Sequence, residues 1–523
     1  MVWLWTIAGG CGDVRRSGGG GDWADGGGAS DVDGAVQLFF SVAVSPARVM
    51  VRQDGSADVE VTVEREAGFD DPIAVAIDGL PAGVTAEPLE IGAGETSGTI
   101  AVRAEAGSAQ GALDLSVTGT AGDVNGSAAL RLLVAGPPGT LDLSFADGGR
   151  LTYQLDGQPS VGSAILAQAD GRIVVAGSAA SRALIVRLGP DGALDDSFGD
   201  GGAVSIGVGD QGGGGPIIER YGRILVGGFA GTGDGNYDMA VFALTADGTP
   251  DPAFGTGGIV VSDTPFPAGN VRKLVVDAEE RIIAVGSVTD FATEGLEVLR
   301  FSPAGAEDPV YRISADNFSP RSAILDAGGR LVIAGSLFDG TQLDFCLARY
   351  LPDGTPDPSF DGDGTVVVPV KENDVAVAVT EQAGGKLLVA GSVLASDSDS
   401  AGLARLDPDG SPDGDFGPGG AQIPTTGIHV FDATFDPAGD VIATGYALPP
   451  LTTQPVAARF RADGTPDETF GDGAIATLGF PSEIVGPSPG VSGAAVDADG
   501  RILLVGQVGP DADYAVAVAR LWP

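Results

Sequence analysis

The side chains of this 523-residue chain that could do chemistry are mostly carboxylates, and they recur at a fixed spacing. An Asp, two further residues and an aromatic return in Leu141-Asp-Leu-Ser-Phe145, Asp195-Asp-Ser-Phe198, Asp251-Pro-Ala-Phe254, Glu307-Asp-Pro-Val-Tyr311, Asp357-Pro-Ser-Phe360, Asp413-Gly-Asp-Phe416 and Asp467-Glu-Thr-Phe470. One chemistry open to such turns is Ca2+ binding, since hard cations want clustered oxygens. Asp361-Gly-Asp-Gly364, and Asp195 and Asp196 with Asp200, are the richest clusters. No copy has EF-hand spacing with a closing Glu, so no metal site is expected. The simpler reading is structural: the Asp accepts backbone N–H groups in a tight turn, the aromatic is buried, and Gly supplies positive φ.

Other chemistries find little support. His429 is the one His, so multi-His metal sites are excluded and any Ser-His-Asp relay must pass through it. No nucleophile-elbow pentapeptide surrounds a Ser, and His429 is expected to be a satisfied residue in an apolar strand. Gly212 to Gly215 has no following Lys and no helix, so it is not a phosphate cradle. Acidic residues could form glycosidase-type pairs, but their abundance selects none. An Arg recurs at 187, 300, 349, 405, 459 and 520, in six of seven units. These could line a central channel and face anions; pairing with the acidic turns nearby is the expectation. No catalytic residue and no cofactor-binding residue is assigned.

The chain carries 28 Lys and Arg against 71 Asp and Glu, a net charge of −43, and its three Lys are at 273, 371 and 386. Such a surface repels nucleic acid and anionic membranes. Cys11 and Cys346 are too different in context to be read as a disulfide; Cys346 is expected to be a buried thiol in a strand.

The positioning elements follow from the period. Aromatics at 145, 198, 254, 311, 360, 416 and 470 set a repeat of about 54 residues. Each unit carries an arm such as Asp170-Gly-Arg-Ile-Val-Val-Ala-Gly-Ser178 and then an apolar run such as Ala183-Leu-Ile-Val-Arg-Leu188. Adding a strand after the aromatic (Ala203 to Ile206) and one before the Asp-Gly hairpin (Ala164 to Ala167) gives four strands, with the recurring Arg placed on the fourth. Four strands repeated seven times give a seven-bladed β-propeller over 140–523. Its apolar strands fit sheets covered on both faces. Residues 36–136 differ: about seven short strands with period-two alternation and turn clusters fit an Ig-like β-sandwich, closed by Gly136-Pro-Pro-Gly139.

Three resemblances carry implications. Met1 to Cys11 is apolar and ends in small residues before a Cys; it resembles a bacterial lipoprotein signal, which implies lipidation of Cys11 and makes 12–35 a Gly-rich tether. Asp78-Gly-Leu-Pro-Ala-Gly-Val-Thr85 is similar to Ig-like modules of bacterial surface proteins. The Asp-x-x-Phe-Gly run, the Asp-Gly-Arg-Ile-Val-Val-Ala-Gly arm and the Leu-Ala-Arg-Tyr strand, in order over about 141–522, resemble the delta-60 repeat of bacterial surface and secreted proteins. That implies an envelope or extracellular setting and no general biochemical activity. The expected role is a non-enzymatic scaffold or binding module for a protein or glycan. Long connections around Asp397 and Thr452 could serve recognition, and contact with a membrane would be through the lipid anchor alone. The alternative is an envelope enzyme, a lyase or cofactor-dependent dehydrogenase, with its site at the propeller channel. Converging Arg, His429 and a deep channel would favour it.

Overall fold

The computed structural model describes residues 39–233, 235–264, 266–371, 373–394, 399–447, 454–480, 490–509 and 513–523. Cys11, the tether 12–35, Asp397 and Thr452 lie outside them. The fold is all-β, with three short 3-10 turns and no α-helix among the described residues. No helix there is long and apolar enough to cross a membrane. The chain divides into two compact units, Met1–Pro137 and Pro138–Pro523.

In the first unit, β-branched residues alternate with polar ones. Along Gly55–Arg65, Val59, Val61 and Val63 are buried while Glu60, Thr62 and Glu64 face out. One sheet runs in the order Phe40–Ser45, Gly55–Arg65, Ser97–Ala104, Val84–Ala86. The other runs Arg48–Arg52, Val124–Ala135, Gly111–Ala121, Ile73–Asp78, Leu89–Ile91. Their inner faces share one core, with Val61 and Val102 from the first sheet and Val75, Val117 and Leu132 from the second. The strands Arg48–Arg52, Val84–Ala86 and Leu89–Ile91, of three to five residues, carry too little alternation to be read from sequence.

The second unit contains seven groups of four antiparallel strands among the described residues. Sheet I is Ser160–Ala167, Ile173–Ala179, Arg182–Leu188 and Ala203–Ile206. Sheets II to VII begin with Gly212–Arg220, Ala268–Val276, Phe318–Leu325, Asp374–Glu381, Ile428–Phe435 and Gly490–Val496. Each first strand lies beside the first strand of the next sheet, and that of sheet VII returns to that of sheet I. The ring is closed through the chain as well. Arg150–Tyr153 pairs with Ala515–Leu521 and supplies the outer strand of sheet VII, and Trp522 is fully buried at this seam.

The sequence leaves the frame open, and the strand numbering that places the Arg on the fourth strand is corrected by the structure. The strand after each aromatic is the outer strand of the sheet that precedes it, so the recurring Arg lies on the third strand and the Asp-Gly turn joins the first strand to the second. Apart from the recurring Arg and an occasional carboxylate, the third strands are mostly apolar because neighbouring sheets cover both faces. In Leu343–Tyr350, Cys346 and Ala348 join the core shared with sheet III, while Phe345 and Leu347 join the core shared with sheet V. Burial pushes the Cys346 thiol up to about 12.

Sheet III carries the worn motif at Glu307–Tyr311, and the register of its outer strand shifts between Leu299 and Phe301. Its outer strand, Glu307–Asp316, runs ten residues because the motif itself joins the strand.

Candidate functional site

The recurring carboxylates and arginines build latches between neighbouring sheets. In sheet IV, Arg349 Nε donates to Asp357 Oδ2 at 2.7 Å, and Nη1 donates to the Pro408 carbonyl of the following repeat at 2.5 Å. Nη2 reaches Ser359 Oγ at 3.1 Å, and the guanidinium sits 4.4 Å above the Phe360 ring. Asp357 Oδ1 accepts the N–H and the hydroxyl of Ser359 at 2.9 and 2.7 Å. Arg349 and Phe360 are buried. A buried ion pair stabilises only when each donor and acceptor is satisfied, and here carboxylate, carbonyl and ring together satisfy the guanidinium.

The same arrangement recurs as Arg187 with Asp195, Phe198 and the Ala246 carbonyl. It recurs across the ring closure as Arg520 with Asp142, Phe145 and the Pro190 carbonyl. Arg405–Asp413–Phe416 and Arg300–Asp308–Tyr311 complete it in sheets V and III. The carboxylates stay ionised: the Ser197 hydroxyl and then, against burial, the Ser197 N–H and Arg187 hold Asp195 at about 2. Lys386, with Arg405, holds Asp413 at about 2.

Two sheets depart from the pattern. Sheet II has Ala243 where the others have Arg, and Arg223, from its second strand, takes over. Its Nε lies 2.5 Å from Asp251 Oδ2, and its Nη1 donates to the Pro303 carbonyl at 2.6 Å. In sheet VI, Arg459 turns partly to Asp436 and Asp440, leaving Asp467 3.7 Å away.

Two of the carboxylates that the metal reading singled out are engaged in the turns. Asp195 is held by Ser197 and Arg187, and Asp363 Oδ1 accepts the Thr365 N–H at 2.9 Å. Among the described residues, no group of three or more His, Cys, Asp or Glu could hold a metal ion. EDTA is expected to leave the melting temperature unchanged; a fall of many degrees restored by Ca2+ would overturn the latch account.

His429 lies in the strand Ile428–Phe435 and has a partner. Its ring is about one-fifth exposed, Nδ1 lies 2.7 Å from Asp399 Oδ2, and the ring stacks on Tyr446 at 5.1 Å and meets Phe431 edge-on at 4.8 Å.

The ring encloses a channel of about 330 Å3, lined from all seven first strands. Each of these strands carries a β-bulge just before mid-strand. A bulge inserts an extra residue and re-aims its side chain. The extra residues are Ser163, Gly215 (followed by Pro216), Arg272, Arg321, Val377, Phe431 and Ser492, and every one lines the channel. The frame is therefore repeated seven times, while the residue it presents to the channel is Ser on sheets VII and I, Gly on II, Arg on III and IV, Val on V and Phe on VI. Sequence reading missed these positions. Their trace is the Gly of the facing second strand, such as Gly177 or Gly445, where a Cβ would lie 1.8 Å from a carbonyl oxygen of the first strand.

Electrostatically the channel contrasts with the chain's net charge. Arg272 and Arg321 sit on adjacent sheets, and burial together with the Arg321 charge holds the Arg272 guanidinium below its ordinary value. Arg272 Nε donates to Ser287 Oγ at 3.0 Å, and its Nη2 is 4.0 Å from Glu294. Across the channel, burial pushes Asp432 up to about 6, against the Lys273 charge and the Ala494 N–H that bonds it at 3.1 Å.

A carboxylate raised this way favours the fold when protonated, so stability is gained as pH falls through about 6 toward 4 and lost as it rises. Asp432→Asn is expected to raise stability at pH 7.5 by about 1 kcal/mol, a figure reduced because the group faces channel water, and to leave it unchanged near pH 4. Thermal unfolding at the two pH values checks this.

A family model, described as a β-propeller domain of unknown function (DUF5122), matches residues 168–198, 222–254, 329–360 and 382–416. Each matched stretch ends on a latch aromatic: Phe198, Phe254, Phe360 or Phe416. No curated protein sequence matches the chain with statistical support. Among solved structures, the chain is similar to the β-propeller domain of Vanderwaltozyma polyspora Nup133, at 6% identity and a TM-score of 0.26, covering 78% of this chain and 91% of that one. It is also similar to an ICAM-5 D1–D4 ectodomain fragment (9% identity, TM-score 0.15, 70% of this chain and 98% of that one). A third is the surface layer protein SbsC, domains 4–9 (12% identity, TM-score 0.16, 90% and 71%). These scores are too low to carry anything over from those proteins. Neither the family description nor these three titles names an enzymatic activity. The chain is an all-β repeat protein with matches to a β-propeller family of unknown function.

Proposed function

We propose that the second unit is a seven-bladed propeller carried behind an Ig-like sandwich, and that the protein is a non-enzymatic binding module or scaffold of the cell envelope or cell exterior. One observation carries this reading. The recurring charged residues are consumed by latches, while the seven bulge positions carry five residue types. A frame held constant around a lining of five residue types (Ser, Gly, Arg, Val and Phe, with Arg and Ser each used twice) suits recognition of a partner, and β-propellers present such linings at a channel mouth. The partner class is a protein or a glycan; nucleic acid is disfavoured by the net charge of −43. Lipidation of Cys11 would tether the tandem to a membrane through residues 12–35.

The test is a pull-down from envelope fractions with the full chain. A partner retained by the native protein and lost on heat-unfolding supports the reading; none across repeated preparations counts against it. An envelope enzyme at the same channel is the second reading, favoured by the approach of Arg272 and Arg321. Against it, His429 stands outside the channel lining, paired with Asp399.

A further inference from the structure

We propose that the channel of the second unit holds a small organic anion, with its carboxylate, sulfate or phosphate group seated between Arg272 and Arg321. The proposal rests on the binding-module reading and names the ligand class for it. The two arginines are the extra residues of bulges on neighbouring first strands, and both line the channel, Arg272 partly buried and Arg321 exposed to the channel water. Like charges on adjacent strands repel one another, and an anion seated between them relieves that repulsion.

Elsewhere in the unit the arginines of the repeat are closed off by latch carboxylates. In the channel, Arg272 has a hydroxyl and a carboxylate 4.0 Å away, and Arg321 has no carboxylate within ion-pair distance among the described residues. Lys273 faces Asp432, so the remaining charge of the group is positive within a chain whose net charge is −43.

The occupant is small. A channel of about 330 Å3 lies at the low end of the roughly 300–1,000 Å3 typical of small-molecule sites. A long polyanion would meet the acidic exterior. The walls suit an organic body: Ser163, Ser492 and Asn270 offer hydrogen bonds, and Phe431, 45% exposed, offers a flat apolar face. Such a group could come from a free oxyanion or from a sugar acid at the end of a glycan.

Calorimetric titration of the full-length protein with inorganic phosphate, inorganic sulfate, glucuronate and glucose tests this. Saturable binding of at least one anion, with none for glucose, is expected. Glucuronate binding more tightly than the inorganic ions points to a sugar acid, and equal or weaker binding points to a free oxyanion. Arg272→Gln and Arg321→Gln are each expected to weaken binding about tenfold, the loss of one charge-assisted bond, with the melting temperature held or raised. No saturable binding of any of the three anions would overturn the proposal, as would full affinity in the double variant. Partner capture by that double variant separates the two readings: capture retained while anion binding is absent from the wild type leaves the binding module standing without its anion site.

Discussion

Replacing Arg349 with Ala is expected to destabilise the second unit by about 3–5 kcal/mol, the range for removing one partner of a buried ion pair. The substitution leaves buried Asp357 Oδ2 with only the longer 3.4 Å contact from Arg330 and frees the Pro408 carbonyl of the next repeat. It also strips the face of Phe360 of its cation. For a cooperative unit the size of Pro138–Pro523, this corresponds to a fall in melting temperature of roughly 4–6 °C. Arg131→Ala is the control, since Arg131 pairs with the exposed Asp114 on the first unit's surface. It should change stability by no more than about 0.5 kcal/mol. Scanning calorimetry of both variants checks the contrast. An Arg349→Ala protein as stable as wild type would mean that the latch is decorative.

Gly445→Ala is expected to be comparably severe. Its Cβ would lie 1.8 Å from the His429 carbonyl oxygen and 3.2 Å from the Val430 Cα, both main-chain atoms that no rotamer change can move aside. Overpacking typically costs 1–3 kcal/mol, and a clash with main chain belongs at or above about 3 kcal/mol. Relief would require the bulge that follows, between Val430 and Asp432, to shift, and that would turn Phe431 away from the channel. The measurement is denaturant unfolding with tyrosine fluorescence, which also senses the Phe431 and Tyr446 contact. A variant unfolding at the wild-type midpoint would show that the bulge is not imposed by the facing strand.

The contrast between these residues and the channel shows what the sequence could reveal. The period, the all-β class and the pairing of Arg with Asp eight residues on were legible, because each copy uses the same residue types for the same packing problem. The frame was not. An outer strand such as Thr365–Val368 is four residues long and lies between a turn and a first strand, so composition alone attaches it equally well to either side; it pairs with Phe345–Ala348. Arg223 reaches the same carboxylate from the second strand, whose opening basic residue recurs as Arg172, Arg330, Lys386 and Arg501, each within ion-pair reach of its own sheet's Asp.

The bulge residues left no common mark. Ser163, Gly215, Arg272, Arg321, Val377, Phe431 and Ser492 share a main-chain position rather than a residue type. The signal lay on the facing strand, in the Gly of the Val-Ala-Gly arm, which reads as a turn-side landmark until the strands are paired.

The account's central claim is that two kinds of arginine coexist in this ring: repeated ones that hold it together and channel ones that do not. The most direct test is the melting temperature of Arg272→Gln/Arg321→Gln beside that of Arg349→Ala at one pH and ionic strength. The expected result is a midpoint at or slightly above wild type for the channel pair, whose mutual repulsion is relieved, and a fall of several degrees for the latch. A large fall for the channel pair with none for Arg349→Ala would contradict the division and return the channel arginines to a structural role.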